Sequence, residues 1–307
     1  MFNRDFSFDV YEPSRDSALA RTYRDIREHL LSADGVVMSI SHDCDVSSQD
    51  KFYLLQEEPT TYQVESRCRW IYGARLLNRL ERLLIAQECG CYVAAFRPAI
   101  FGEHCNLDHE WVWKRDFSSR GEGVTVCRPP LDSKRVSEGD VLMELIDRAG
   151  KTWKLDCFFN VPIACRVLTY NPLQAGQSDS GQEHVSIPQE LSRIPACLGH
   201  RLAACGCLYY SVDFMRVNGR FAIIELNTSG VGRLDQWVML RSIYVTNVCS
   251  GIVNFVNDDC PKLTLASVAG ELSAWRKKTA SSLEHPVNRH EALSTSVNTS
   301  TGQILSE

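Results

Sequence analysis

Two periodicities alternate along the chain. From 21 to 35, RTYRDIREHLLSADG places Tyr23, Ile26, Leu30 and Leu31 at helical spacing, with Gly35 as a stop. GVVMSIS (35–41) reads as a buried strand, and residues 1–20 as a polar, irregular arm. RWIYGARLLNRLERLLIAQECG (69–90) carries Leu76, Leu77, Leu80, Leu83 and Leu84 at helical spacing, so the whole stretch predicts one long helix ending at Gly90. CYVAAFRP (91–98) predicts a strand closed by proline. Helices alternating with β-branched runs point to an α/β layer over the first hundred residues.

The texture changes at Trp111. WVWK, VTVCR, DVLMELI and WKLDCFF are short strand-like pieces between glycine- and charge-rich loops, which predicts a small α+β unit up to about residue 170. The polar stretch 171–184 reads as a mobile loop. Residues 188–206 predict helix, with Pro195 in a first turn or dividing it into two pieces. Helical material follows from about 236 to 257, and the Ser/Thr/Asn-rich last thirty residues read as a disordered tail. No internal repeat is visible.

Between these lies LYYSVDFMRVNGRFAIIELNTSG (208–230), two hydrophobic segments flanking Asn218-Gly219. Asn-Gly predicts a tight antiparallel turn. A two-residue turn pairs Val217 with Arg220 and puts Asp213 and Glu225 on opposite faces, because side chains alternate. A three-residue loop, or a bulge in a two-residue hairpin, brings Asp213, Glu225 and Asn227 to one face. The sequence permits each. Two carboxylates and an amide oxygen on one face are costly without a cation, and hard oxygen donors suit Mg²⁺. On spacing alone, an edge hairpin with its acids in solvent is the simpler alternative.

Composition narrows the classes. The 307 residues are 44% hydrophobic and 23% charged, as in a globular protein. Basic residues number 33 and acidic 38, a net −5, which gives no electrostatic case for nucleic acid as a partner. No apolar run has membrane-spanning length. The 13 cysteines show no paired CxxC pattern; their odd number and the lack of a signal peptide predict reduced thiols in a cytoplasmic protein. His42-Asp43-Cys44-Asp45 and the group His104, Cys105, Asp108, His109 look like metal clusters but read more simply as loop and connector residues.

A second motif joins the hairpin. In WVWKRDFSSRGEGVTV (111–126), a strand ends at Lys114 and a Ser/Gly loop leads to another strand. Such a loop can fold over phosphates while the lysine adds charge. It is not a Walker loop, since no GK[ST] is present and no helix follows.

In this order and at this separation, over residues 70 to 240, the motifs resemble the ATP-grasp superfamily, closest in style to its RimK-like and D-alanine–D-alanine ligases. The resemblance implies an α/β and α+β architecture. An N-terminal α/β domain (1–104) would precede two α+β subdomains enclosing the nucleotide, a lid (105–170) and a C-terminal part (171–277), then a tail (278–307). It implies ATP and Mg²⁺, with Mn²⁺ as a substitute. Asp213, Glu225 and Asn227 would hold the metal. Lys114 would reach a phosphate, and Ser118, Ser119, Arg120, Gly121, Glu122 and Gly123 would form the phosphate lid. Glu144 and Leu145 would lie along the adenine edge. Arg166 would sit near the transferred phosphate, as a catalytic residue with Lys114. Arg79 would replace the first nucleotide-binding lysine. The implied activity is a carboxylate–amine ligase acting on small molecules, amino acids or peptides through an acyl phosphate, with no nucleic-acid or membrane partner and with room for a homodimer. A kinase with a hydroxyl acceptor, and a nucleotide-binding protein without turnover, are the alternatives.

The chain departs from the family pattern in three places. Ser229-Gly230 stands where a proline is usual, Ser211 stands where the D-alanine ligases have arginine, and the ribose acid is not evident, Asp147 and Asp156 being the nearest. Arg233, Arg241 and the loop 171–184 are placed for substrate contacts by position alone.

Overall fold

A computed structural model of the chain describes residues 7–11, 18–34, 37–41, 52–54, 69–71, 77–99, 110–116, 124–127, 136–146, 151–169, 182–228, 241–258 and 265–283. Three sheets organise them.

The first sheet is parallel, ordered β2-β1-β3-β4, from β1 (Ser7–Tyr11), β2 (Val37–Ser41), β3 (Phe52–Leu54) and β4 (Arg69–Ile71). Helix α1 (Ala18–His29), continued by a π-helical turn at Leu30–Asp34, connects β1 to β2 and packs on β2. Two expectations are corrected here. The arm 1–20 contains strand β1, whose SFDVY alternates apolar and polar residues and pairs with β2 and β3. The long helix expected over 69–90 is a strand followed by a shorter helix, α2 (Arg79–Glu88). The sequence Trp70-Ile71 has strand propensity, being aromatic followed by β-branched. The helix start is set by Asn78, whose side chain accepts from the Glu81 N–H at 2.8 Å while Glu81 accepts from the Asn78 N–H at 2.8 Å, a reciprocal capping box.

The second sheet is antiparallel, ordered β5-β8-β6-β7, from β5 (Phe96–Pro98), β6 (Trp111–Lys114), β7 (Val124–Cys127) and β8 (Val141–Glu144). It carries the segment read from sequence as the lid.

The third sheet holds the core of the molecule. Its order is β11-β10-β9-β12-β13, from β9 (Lys151–Phe158), β10 (Val161–Thr169), β11 (Gln182–Val185), β12 (Tyr209–Val217) and β13 (Arg220–Asn227), all antiparallel. Strands β9 and β10 fall by sequence in the segment 105–170, yet they hydrogen-bond into the sheet of the hairpin. Strand β11 takes the last residues of the stretch 171–184 that reads as loop, because Cys165 to Leu168 of β10 offer it an edge.

Helix α4 (Ile194–Ala204) packs against β9 and β10, preceded by the short α3 (Gln189–Ser192), with Pro195 in its first turn as expected. Helix α5 (Arg241–Asn257) covers β10 and β9 and also contacts α1, which ties the parallel sheet's helix to this core. Leu155, Cys157, Tyr210, Val212, Phe214, Leu198, Leu202, Val248 and Ile252 are buried in one continuous cluster with Ile26 and Leu30 of the first layer. A last helix, α6 (Leu265–Leu283), was not expected; it runs into the segment read as a tail, and Trp275 Nε1 donates to Glu88 at 2.8 Å on α2. Among the described residues no helix is long and apolar enough to cross a membrane.

Candidate nucleotide and metal site

The hairpin decides the question its sequence leaves open. Val217 pairs with Arg220, so the turn has two residues, with Asn218 at φ 51° and Gly219 at φ 80°. Positive φ at both central positions is what an Asn-Gly turn provides. The three-residue loop is therefore not formed. The register shifts further along the ladder. Phe214 pairs with Ile223, but Asp213 pairs with Glu225, leaving Ile224 as a bulge. The bulge brings Asp213 and Glu225 directly opposite each other, with Asn227 opposite Ser211 one pleat on. Cross-strand partners share a face, so the two acids and Asn227 line one side of the sheet, as the shared-site expectation requires.

Two contacts secure the bulge. Segment 92–94 docks on β13 at this point, with Ile223 N–H donating to Tyr92 O at 2.8 Å and Ala94 N–H to Ile223 O at 2.9 Å. Lys114, at the end of β6, donates from Nζ to the Ile224 carbonyl at 2.8 Å. The lid sheet and the hairpin thus meet at the bulged residue. Lys114 is buried, and burial holds its pKa below the usual lysine value despite the nearby Glu225.

The acidic pair faces cations. Glu225 Oε1 lies 3.3 Å from Arg79 Nη2, and Asp213 Oδ1 lies 3.1 Å from Lys154 Nζ. Burial opposes ionisation of Glu225, but Arg79, Lys114 and Lys154 outweigh it and hold the carboxyl below its ordinary range. Asp213 goes the other way: burial, with Glu225 across the ladder, raises it in spite of Lys154. Burial pulls the Lys154 value down, but Asp213, Asp156 and Glu225 together carry it above the lysine norm.

Strand pairing extends this row across the entire sheet. Glu225 lies opposite Asp213, Asp213 opposite Lys154, Lys154 opposite Arg166, and Arg166 opposite His184. At roughly 4.8 Å between strands, the row spans on the order of 19 Å. One end is acidic and the middle basic. Arg166 is buried and its Nη2 contacts Asp156 Oδ2 at 3.2 Å; Asp156 is fully buried, and burial lifts its carboxyl above the ordinary value against the pull of Arg166. Sealed in this pair, Asp156 is not available as a ribose acid.

Arg79 occupies the first position of α2. It is 4% exposed, and its N–H donates to Asp116 Oδ1 at 2.5 Å. Asp116, two residues past Lys114, also lies 3.8 Å from Arg82 Nη2. The peptide of Asp116 donates to Asp140 Oδ1 at 2.9 Å. This fastens the start of α2 to the root of the lid sheet. Gly139 (φ +92°) is required there, since a Cβ would sit 2.8 Å from Asn78 and 2.9 Å from Asp116.

Of the residues expected at the site, Arg79, Lys114, Asp213, Glu225, Asn227 and Arg166 converge on the sheet face and its margin. Glu144 and Leu145 lie at the end of β8, where Glu144 N–H donates to Ala95 O at 2.8 Å and Leu145 N–H to Glu110 O at 3.0 Å, so both donors are already used. The lid residues Ser118, Ser119, Arg120, Gly121, Glu122 and Gly123 lie outside the described residues, as do Asp147, Arg233 and both His/Cys/Asp clusters. Lys154 was missed. Its signal was the two-residue alternation of KTWKLDCF, which puts Lys154 and Asp156 on one face of a strand that otherwise reads as core.

The donor set fits a hard divalent cation. Among the described residues no three or more His, Cys, Asp or Glu side chains converge as a cage. Two opposed carboxylates and an amide oxygen form the sparse set that Mg²⁺ takes when phosphate and water complete its shell. Lys154, Arg79 and Lys114 around them suit a polyphosphate.

Comparison with known proteins places this architecture. No protein-family model matches the chain, and no curated protein is significantly similar in sequence. Solved structures do match. A RiPP-associated ATP-grasp ligase from Chryseobacterium gregarium, in complex with ADP and a leader and core peptide, aligns with TM-score 0.51 at 11% identity, over 84% of this chain and 98% of that one. A RimK domain ATP-grasp protein from Sphaerobacter thermophilus aligns with TM-score 0.49 at 14% identity, over 80% and 99%. D-alanine–D-alanine ligase from Bacillus anthracis, complexed with ATP, gives 0.45 at 13%, over 82% and 96%. With an antiparallel core sheet, a second antiparallel sheet docked at its bulged hairpin and a parallel N-terminal layer, this chain has the ATP-grasp fold.

Proposed function

We propose that the protein is an ATP- and Mg²⁺-dependent ligase that joins a carboxylate to an amine through an acyl phosphate. The observation that carries the reading is the bulge at Ile224, which sets Asp213 opposite Glu225 and puts Lys154 next in the row. A register shift that gathers two acids beside buried cations is hard to explain as packing alone, because it places charge where the ladder would accept apolar side chains.

In this reading Asp213, Glu225 and Asn227 would hold Mg²⁺, which would supply positive charge against the phosphates of the nucleotide. Lys154 and Arg166 lie farther along the row and face the transferring phosphoryl group. Lys114 and Arg79 hold the other side of the triphosphate. Their task is positioning and charge stabilisation rather than covalent chemistry. The substrate carboxylate attacks the γ-phosphorus, the bond to the β-phosphate oxygen breaks, and ADP leaves. Amine attack on the acyl carbon then forms the C–N bond and releases phosphate.

The peptide-bound state of the C. gregarium ligase supports a peptide or amino-acid substrate class. The test is release of ADP and phosphate with Mg·ATP, using pooled amino acids and dipeptides and with hydroxylamine as a trap. Hydroxamate with equal ADP and phosphate supports the ligase. ADP without free phosphate points to a kinase. Tight Mg·ATP binding with no ADP under any acceptor points to a nucleotide-binding protein without turnover.

A further inference from the structure

We infer that Arg276 of helix α6 is a positioning residue for the nucleotide site: by gripping both oxygens of Glu81 it fixes the first turn of α2, and with it the Arg79 guanidinium at Glu225. The inference rests on the nucleotide reading of that site given above.

Helix α6 has little apolar surface to seat it, since its buried side is Val268, Leu272, Trp275 and Thr279. Its polar contacts are specific. Glu271 pairs with Arg201 of α4. Trp275 Nε1 donates to Glu88 at 2.8 Å, and Arg276 donates from Nε to Glu81 Oε1 at 2.5 Å and from Nη2 to Glu81 Oε2 at 3.2 Å. Glu88 is the last residue of α2, and Glu81 lies in its first turn. The two glutamates stand about 10 Å apart along the helix axis. Adjacent residues of α6 therefore bracket α2 from end to end. An exposed ion pair is worth little unless its geometry is bidentate. The contact of Arg276 is such a fork, on a carboxylate whose side chain is 10% exposed.

Glu81 has a second duty. The first amides of a helix lack intrahelical partners. In α2, Glu81 Oε2 accepts from the Asn78 N–H while Asn78 Oδ1 accepts from the Glu81 N–H. That same Oε2 takes Arg276 Nη2. Arg276 thus holds in one rotamer the side chain that closes the capping box. Without the arginine, Glu81 can rotate away from the Asn78 amide, and the first turn frays.

This turn is the one that reaches the site. Arg79 is the first residue of α2; its N–H donates to Asp116 Oδ1 at 2.5 Å, and its Nη2 lies 3.3 Å from Glu225 Oε1. Arg82 Nε donates to the Asn78 carbonyl at 3.2 Å, so the cap residue also anchors a second cation of the turn. The effect passes through α2: Arg276 to Glu81, Glu81 to Asn78, and Asn78 to the adjoining Arg79.

The test is calorimetric binding of Mg·ATP to the full chain, in wild type, Arg276→Met, Glu88→Ala, Arg79→Met and the double variant Arg276→Met/Arg79→Met. Arg276 is half-exposed, so Arg276→Met is expected to fold. The expected result is a loss of about tenfold or more in Arg276→Met, the scale on which outer-shell partners that orient a ligand act. Glu88→Ala removes the Trp275 contact at the other end of α2 and should leave the affinity near that of wild type. On the Arg79→Met background, Arg276→Met should have no further effect, because its route to the ligand is gone. An unchanged affinity in Arg276→Met, an equal loss in Glu88→Ala, or the same added loss without Arg79 would overturn the inference and leave the nucleotide reading intact. A wild type that does not bind Mg·ATP contradicts the nucleotide reading, and this inference with it. Amide hydrogen exchange reads the positioning step without nucleotide. The Arg79 and Glu81 amides should exchange faster in Arg276→Met, with the Cys89 amide, bonded to Ile85 O at 3.0 Å, unchanged. Unaltered protection of the first turn, or a loss shared by the Cys89 amide, excludes the role.

Discussion

Lys114 donates to the carbonyl of Ile224 at 2.8 Å, so a residue of the lid sheet closes the one irregularity that puts Asp213 opposite Glu225. The lysine is more than a phosphate contact in waiting. It satisfies the bulged residue's carbonyl and adds positive charge beside Glu225.

Replacing Lys114 with Met should therefore lower stability even without nucleotide. A hydrogen bond to a charged donor is worth about 1.5–3 kcal/mol, and the Ile224 carbonyl would be left without this donor. Urea unfolding of the free protein measures it. An unchanged midpoint would mean that the bulge is held by the 92–94 segment alone.

Lys154 should separate folding from ligand response. Its ammonium lies between Asp213 and Arg166 in the row and is partly exposed. Lys154→Met is expected to fold, and to weaken the stabilisation by Mg·ATP more than that by Mg·ADP, since the proposed reading sets the residue toward the terminal phosphate. Calorimetric affinities for the two nucleotides decide it; equal weakening would move Lys154 away from the γ-phosphate.

The two carboxyls of the acidic pair are shifted in opposite directions. The Glu225 carboxyl is held below its ordinary value of 4.5, so the stabilisation from its cations is complete above that pH and disappears as pH falls through the folded value. Asp213 moves the opposite way, raised above 3.8 by burial and by Glu225 across the ladder. The stability difference between wild type and Glu225→Gln should thus be constant above pH 5 and shrink below about pH 4. A difference that grows on acidification would reverse the assignment.

The core helices make a prediction that does not involve ligand. A Cβ on Gly199 of α4 would collide with the Phe159 carbonyl, and one on Gly251 of α5 would meet Phe158 at 2.8 Å. Both helices seat on the turn between β9 and β10, where Phe159 has φ 50° and Tyr210 Oη donates to its carbonyl at 2.9 Å. Gly199→Ala and Gly251→Ala should each cost about 1–3 kcal/mol through overpacking. Gly219→Ala, with open space around it but φ +80°, should cost through backbone strain instead.

Much of this was readable in the residues, for definite reasons. Asn218-Gly219 announced the turn, because few other pairs accept positive φ twice. The register beyond it was not readable. The bulge at Ile224 depends on Lys114 and on residues 92–94, which are distant in sequence, and no local pattern encodes them. Lys154 was hidden because one lysine between Trp153 and Leu155 looks like a strand end until the neighbouring strands supply its partners. Helix α6 was hidden because its buried side is thin: Val268, Leu272, Trp275 and Thr279 line it, amid Ser, Ala and Lys. The helix over 69–90 was overextended because leucines at helical spacing drew in Arg69–Ile71, whose strand character is realised only against β3.

The most direct test of the central claim is the thermal midpoint of the full chain with Mg·ATP, Mg²⁺ alone and ATP alone, for wild type and Glu225→Gln. At about 100 times the dissociation constant, a ligand adds about 2.7 kcal/mol of stability. The account predicts a rise in wild type that needs both metal and nucleotide and is lost in the variant. No rise at saturating Mg·ATP, or an equal rise in both proteins, would contradict it.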